Sequence, residues 1–202
     1  MEKCYVIFTG RPNAGKSTVI RVLTGLKVPA GKRPGTTKRI NEYPMSPGLF
    51  LMDMPGYGRI VGETRRVEDL TKNTILDFID DHKKEIVLAV HIINISTFIE
   101  TERRLSRKGY TSLDVEMVDY LFHIIGKFPI VVANKIDKGT EHEILDNLKT
   151  FIERVRQTSS IDIHERVYPI SAKTGVGIGV LKKRFIEELV SAGFNNPLEY
   201  MR

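Results

Sequence analysis

Tryptophan is absent, glutamine occurs once as Gln157, and cysteine once as Cys4. A single thiol excludes an internal disulfide and a multi-thiolate metal site, which fits a reducing compartment; Cys4 is expected as a small apolar group of the core. Long apolar runs are missing too. The longest, IVLAVHII at 86–93, suffices for a buried strand, whereas a membrane helix needs about 20 such residues. The opening MEKCYVIFTGR has no cationic start, long apolar stretch or small-residue cleavage site, so the cytoplasm is the expected location and no membrane is expected as a partner. With nine Pro, sixteen Gly and no low-complexity tract, the 202 residues exclude a collagen-like, coiled-coil or disordered chain. What is present is 41% hydrophobic residues, enough for a core. The expectation is one domain over 1–202, monomeric, with its core at about 4–193 and a short tail at 194–202.

Charge is unevenly spread. Residues 1–66 carry a net +8 and the remainder −2. A potential of that sign at one end attracts phosphates, of a small ligand or of a nucleic acid.

Short apolar runs alternate with longer segments of helical period, the pattern of a mostly parallel sheet covered on both faces. Strands are expected at 4–9, 39–43, 49–53, 86–94, 128–134 and 167–170. Helices are expected at 16–24, 65–82, 113–125, around 144–155 and at 178–192. The second helix is read with Val67, Leu70, Thr74, Phe78 and His82 on its inner stripe. Only PMSPG separates strands two and three, too short for a parallel crossover, so that pair is expected antiparallel. Residues 26–38 and 96–110 take no element on this reading, and loops of such length in a compact domain are usually functional or mobile.

The first strand runs into GRPNAGKST and then a helix: Gly10, four residues, Gly15, Lys16 and Ser17. This is a complete P-loop in the strand–loop–helix context that the motif needs. Gly10 and Gly15 let the chain turn amide protons inward, and the helix N-terminus adds its positive end. Gly10, Arg11, Pro12, Asn13, Ala14, Gly15, Lys16, Ser17 and Thr18 are the expected phosphate-binding residues. Lys16 supplies charge to the β- and γ-phosphates, and the Ser17 hydroxyl is a ligand for Mg²⁺.

The fifth strand ends in NKID. At a strand's carboxyl end the Asp137 carboxylate can accept from guanine N1–H and the exocyclic amine, a donor pair that adenine lacks, so GTP or GDP is the expected ligand. Lys135 can lie over the purine and Asn134 can brace the P-loop against the base loop. ISAKTG after strand six places Ser171, Ala172 and Lys173 to close the base pocket, with the Ala172 amide facing guanine O6.

GRPNAGKS, PGTT, DMPGYG, NKID and SAK occur here in the order seen in translation-factor-class (TRAFAC) P-loop GTPases, and DMPGYG with GRPN resembles the EngB (YihA) family of GTP-binding proteins over about 5–189. Bacterial members commonly read GRSNVGKS and TKxD where this chain has Pro12, Ala14 and Asn134; RRLSRKGY makes it similar to archaeal-type members. The resemblance implies a three-layer α/β/α G domain with a six-stranded, mostly parallel sheet, and slow GTP hydrolysis. It also implies a role in large ribosomal subunit assembly, with family links to cell division and septation. Ribosomal RNA is then the expected partner, to which the basic N-terminal third and the cluster Arg103, Arg104, Arg107 and Lys108 correspond. Two other readings stand beside it: a switch recruiting protein effectors, and a G subunit of a larger RNA-modifying assembly.

The same resemblance assigns the switches. Asp53, Met54, Pro55 and Gly56 follow strand three; Asp53 holds a water on Mg²⁺ and the Gly56 amide bonds the γ-phosphate. Gly35, Thr36 and Thr37 belong to the ligand site, and Thr37, by its spacing from Gly35, or else Thr36, completes the Mg²⁺ shell. Tyr57 stands where many signalling GTPases have a water-orienting glutamine, and Gln157 is far from the site. Charge at the transition state then needs a cation: K⁺ held by Asn13, as in relatives lacking that glutamine, or one of Arg33, Arg39, Arg59 and Arg65. Lys16, Asn13, Thr37 and Gly56 are the expected hydrolytic residues, and Ser17, Thr37 and Asp53 the metal ligands.

Overall fold

Both faces of the central strands are apolar, as a sheet covered on each side requires. In the computed structural model, which describes residues 3–28, 39–58 and 64–201, strand β1 (Cys4–Gly10) sends Val6 and Phe8 to one side and Tyr5 and Ile7 to the other. Strands β4 (Ile86–Asn94) and β5 (Ile130–Asn134) alternate in the same way. Val90, Ile92, Ile130 and Val132 join the first face, and Ile93, Val131 and Ala133 the second. Strands β2 (Asn41–Ser46), β3 (Leu49–Asp53) and β6 (Val167–Ile170) complete a six-stranded sheet of order β2-β3-β1-β4-β5-β6. Only β2 and β3 are antiparallel; every other pair is parallel.

Helices α1 (Lys16–Thr24) and α6 (Ile178–Ser191) cover the first face with Val19, Ile20, Leu23, Leu181, Phe185 and Leu189. Helices α2 (Arg65–Asp81), α4 (Leu113–Ile125) and α5 (Glu141–Ser159) cover the second with residues such as Ile75, Ile79, Val118, Leu121 and Phe151. The result is the expected three-layer α/β/α architecture of a P-loop GTPase. Among the described residues no helix is long and apolar enough to cross a membrane.

Four details depart from expectation. A sixth helix, α3 (Phe98–Ser106), occupies the segment 96–110, which periodicity left without an element. Its inner side holds only Phe98 and the buried Glu102, and a buried acid leaves no apolar repeat to read. Strand β2 begins two residues later than expected and takes in Pro44, which an edge strand tolerates because that nitrogen needs no ladder partner. Helix α2 buries Ile75 and Ile79, while Val67 and Leu70, placed on the inner stripe by spacing alone, are exposed. The segment 194–201 lies against the sheet: Tyr200 N–H donates to Met45 O at 2.9 Å, and Phe194, Leu198 and Met201 pack on the first-face core.

Register brings the functional strand ends together. Phe8 pairs with Asp53, Asn94 with Asn134, and Asn134 with Ile170. The carboxyl ends of β1, β3, β5 and β6 therefore share one edge, where an open parallel sheet presents its loops to a ligand.

Candidate functional site

The P-loop follows β1 along that edge. A Cβ at Gly10 would lie 2.5 Å from the Ile92 carbonyl oxygen, so only glycine lets β1 pass β4 here. At Gly15 a Cβ would collide with the Asn134 amide. Between them the loop is closed by Ala14 N–H donating to Arg11 O at 3.2 Å, and α1 starts with the Thr18 and Val19 amides on Gly15 O. Gly15 offers no side-chain cap and the first turn of α1 has no acid. Its leading N–H groups are thus left for an anion.

Lys16 projects from this turn and is buried against the Asp53 carboxylate at the end of β3, one Lys16 ammonium proton bonding Asp53 Oδ1. Burial pulls the Lys16 ammonium below the ordinary lysine pKa, and the Asp53 carboxylate opposes that pull. Asp53 Oδ2 is buried with no hydrogen-bond partner among the described residues. A buried orphan carboxylate oxygen is costly unless something binds it. Beyond Asp53, Met54 turns its side chain into the core. Pro55 is buried, and Gly56 packs so tightly on the P-loop that a Cβ would sit 2.9 Å from Pro12 N. Ser17 is half-buried at the start of α1. The expected site residues Gly35, Thr36 and Thr37, and with them Arg33 and Arg59, lie outside the described residues.

The base side is organised by Asn134. Its buried amide donates from Nδ2 to Ala14 O at 2.9 Å and accepts at Oδ1 from Ala172 N–H at 3.1 Å, joining the P-loop to the loop after β6. The Ala172 amide, expected to face guanine O6, is bonded here to Asn134 Oδ1. Lys135, with a positive φ of 72°, reaches back so that Nζ donates to Asn13 O. Burial, then the neighbouring Lys138, lowers its ammonium pKa. Asp137 is exposed and accepts from the Ser171 hydroxyl at 2.7 Å. That bond, helped by Lys173 and Lys138, holds its carboxyl below the usual range despite some desolvation. Lys173 itself is exposed. Asn13 has a φ of 64°, is exposed, and its side-chain amide has no partner among the described residues.

One group of residues escaped the sequence reading. His91, wholly buried in β4, shares a hydrogen bond between Nδ1 and Thr9 Oγ1 at 2.9 Å, and Nε2 lies 3.3 Å from the Tyr57 hydroxyl. The Tyr57 hydroxyl lies 3.5 Å from Asp114 Oδ1, and Asp114 Oδ2 is 3.7 Å from Arg11 Nη1. Tyr57 is itself buried and stacks on His91 at 6.1 Å between ring centroids. Burial, with Asp114 beside it, pushes the Tyr57 hydroxyl well above its ordinary pKa, so it stays a proton donor. The Arg11 side chain thus faces Asp114, and only the Arg11 backbone remains with the P-loop. A histidine inside an apolar run was the available signal, and IVLAVHII contains it.

Residues 5–135 match the sequence model of a family described as 50S ribosome-binding GTPase. A protein of Methanococcus maripaludis named probable GTP-binding protein EngB is 38% identical over 68% of this chain and 59% of its own length. One of the same name from Archaeoglobus fulgidus is 31% identical over 98% of each chain. A crystal structure described as a probable GTP-binding protein engB superposes with a TM-score of 0.78 at 34% identity, covering 93% of this chain and 100% of that one.

Tyr57→Phe keeps the ring in place and removes the hydroxyl between His91 and Asp114. The expected result in urea unfolding is a loss of about 1–2 kcal/mol of stability, the range for a buried hydrogen-bonded hydroxyl. An unchanged midpoint would mean that the hydroxyl takes no part in this network.

Proposed function

The chain belongs to the EngB family of GTP-binding proteins and is a GTPase; from that premise we propose that the edge built around Asn134 takes GTP with Mg²⁺ and that turnover serves assembly of the large ribosomal subunit. The observation that carries the nucleotide reading is the double hydrogen bond of Asn134, which joins the phosphate loop to the base loop as one continuous rim. Support for the large subunit comes from the matched family's description and from the +8 charge of residues 1–66.

On this reading the N–H groups of the P-loop and of the first turn of α1 that are not bonded within the loop surround the phosphates. Lys16 exchanges Asp53 for β- and γ-phosphate oxygens, whose negative charge offsets the burial that depresses its ammonium. Asp53, released, has both carboxylate oxygens free. The oxygen set of Asp53, Ser17 and Thr37 or Thr36 suits Mg²⁺: the orphaned Asp53 Oδ2 wants a positive partner. No cluster of three His, Cys, Asp or Glu among the described residues competes for the metal. When bound, Mg²⁺ supplies positive charge to the β- and γ-phosphate oxygens. Gly56, pressed on Pro12, turns its amide to the γ-phosphate. Asp137, kept ionised by Ser171, accepts from guanine, with Lys135 over the ring and Lys173 and Ala172 at its rim.

Tyr57 is turned into the His91 network and orients no water. The exposed Asn13 amide is the group we propose for holding a monovalent cation beside the phosphates. Its freedom from any bond within the loop favours that role over simple loop bracing.

Asp137→Asn replaces one acceptor by a donor. GTP affinity should fall by roughly 30- to 1000-fold, or about 2–4 kcal/mol, while xanthosine triphosphate, whose 2-oxo group accepts, should bind more tightly than to the parent protein. Unchanged affinities for both nucleotides in a fluorescence titration would remove Asp137 from the base site. GTP turnover in matched KCl and NaCl tests Asn13. The rate should be at least about tenfold higher in KCl, because the arginine-finger position that the ion fills is worth about 10³ or more, and Asn13→Ala should abolish the difference. Equal rates in both salts would shift the role to an arginine or to a cation from the ribosome.

A further inference from the structure

Helix α3 has two unlike sides. Inward, Phe98 meets Phe151 edge-on at 5.1 Å, Ile99 N–H donates to Asn147 Oδ1 at 2.8 Å, and the buried Glu102 pairs with Arg154 at 2.5 Å. The helix is thereby fixed to α5. Outward it presents Arg103, Arg104 and Arg107, followed in the next turn by Lys108 and Tyr110, all exposed. At 100° per residue Arg103, Arg104 and the cap residue Arg107 fall within an arc of about 100°, opposite Phe98 and Glu102.

None of the four has a carboxylate within ion-pair distance among the described residues, whereas Arg154, Arg156, Arg166 and Arg184 each have one. Glu100, one turn back on the same arc, is exposed and pairs with neither Arg103 nor Arg104, so the face keeps an excess of positive charge. A helix C-terminus favours a cation in its last turn. That accounts for Arg103 and Arg104, but not for Arg107, Lys108 or the ring beyond them. The turn is also held in place: Lys108 N–H and Tyr110 N–H both donate to Leu105 O, at 2.8 and 3.1 Å, and Gly109 takes a φ of 73°. It returns Tyr110, 64% exposed, to the end of the helix. The opposite end of α3, at Phe98 and Thr101, lines with Arg11, Pro12 and Ala14 a cavity of about 170 Å³ beside the P-loop.

Unpaired cations beside an exposed, backbone-held aromatic suit a phosphate backbone with an unstacked base. We propose that the outer face of α3 and the turn to Tyr110 form the surface that docks on ribosomal RNA, with Arg103, Arg104, Arg107 and Lys108 on phosphates and Tyr110 stacked on an unpaired base. This rests on the large-subunit reading above.

The test measures equilibrium binding of the full chain, with a non-hydrolysable GTP analogue, to large ribosomal subunits of the source organism and to the protein-free RNA extracted from them, between 50 and 200 mM KCl. The variant carrying Arg103→Ala, Arg104→Ala, Arg107→Ala and Lys108→Ala should bind both probes at least 100-fold more weakly at about 100 mM salt. Its slope of log affinity against log salt should be shallower by about 3, as four lost phosphate contacts require. Tyr110→Ala should lose about 5- to 100-fold with the slope unchanged. GDP affinity should match the parent in both variants, which shows that they fold, and alanines at the exposed Lys182 and Lys183 of α6 should change nothing. A parent protein that binds neither probe overturns the ribosomal reading itself. A parent that binds while the quadruple variant keeps its affinity and slope overturns only the α3 surface. A variant that loses the subunit but keeps the free RNA would show that the face meets ribosomal protein, which also overturns the proposal.

Discussion

One side-chain amide ties the site together. Asn134 is buried at the end of β5, and its two polar ends hold Ala14 of the P-loop and Ala172 of the loop after β6. The rest follows from making room for it. Gly15 must lack a side chain because Asn134 Nδ2 occupies that space. With its neighbours fixed, α1 begins without a cap or an acid, which leaves its amides turned toward an anion. On the other side, Ser171 is set to donate to Asp137. A residue that need not touch the nucleotide thus fixes the distance between the groups proposed for phosphate and those proposed for base.

The second constraint is the polar chain Thr9–His91–Tyr57–Asp114–Arg11. It replaces apolar packing on the inner side of β4 and draws in Tyr57, which follows Gly56, the residue proposed to bond the γ-phosphate. Asp114 stands at the start of α4, and Arg11 stands in the P-loop, so the chain links β1, β4, the loop after β3, α4 and the P-loop. Such networks are costly when partly satisfied and rigid when complete. Here it binds the residue after Gly56 to the fixed sheet. That holds the Tyr57 hydroxyl inside the fold, beside His91 and Asp114.

The architecture was legible in the sequence where apolar alternation is strong: β1, β3, β4, β5 and β6 lie within about two residues of their expected places, and the short PMSPG link foretold the antiparallel pair. The P-loop was legible because its residues must follow a strand and open a helix, and Asn134 as a brace because NKID ends a buried strand. Features that depend on a single buried polar group were not. Helix α3 is anchored by Glu102 on Arg154, so its periodicity reads as a charged loop. The stripe on α2 was offset because Val67 and Leu70 obey the same spacing as Ile75 and Ile79, and only docking tells them apart. His91 looked like part of an apolar strand, and the partner that commits the Ala172 amide comes from 38 residues away. Pairings over such distances leave no local pattern.

The bracing role of Asn134 is tested most directly by the GDP affinity of Asn134→Ala, measured by calorimetry beside the parent protein with far-ultraviolet dichroism to verify the fold. Loss of both bonds should let the two loops separate and weaken GDP by on the order of 100-fold, or about 2.7 kcal/mol, with the dichroism unchanged. A folded variant that binds GDP within about twofold of the parent would contradict the account.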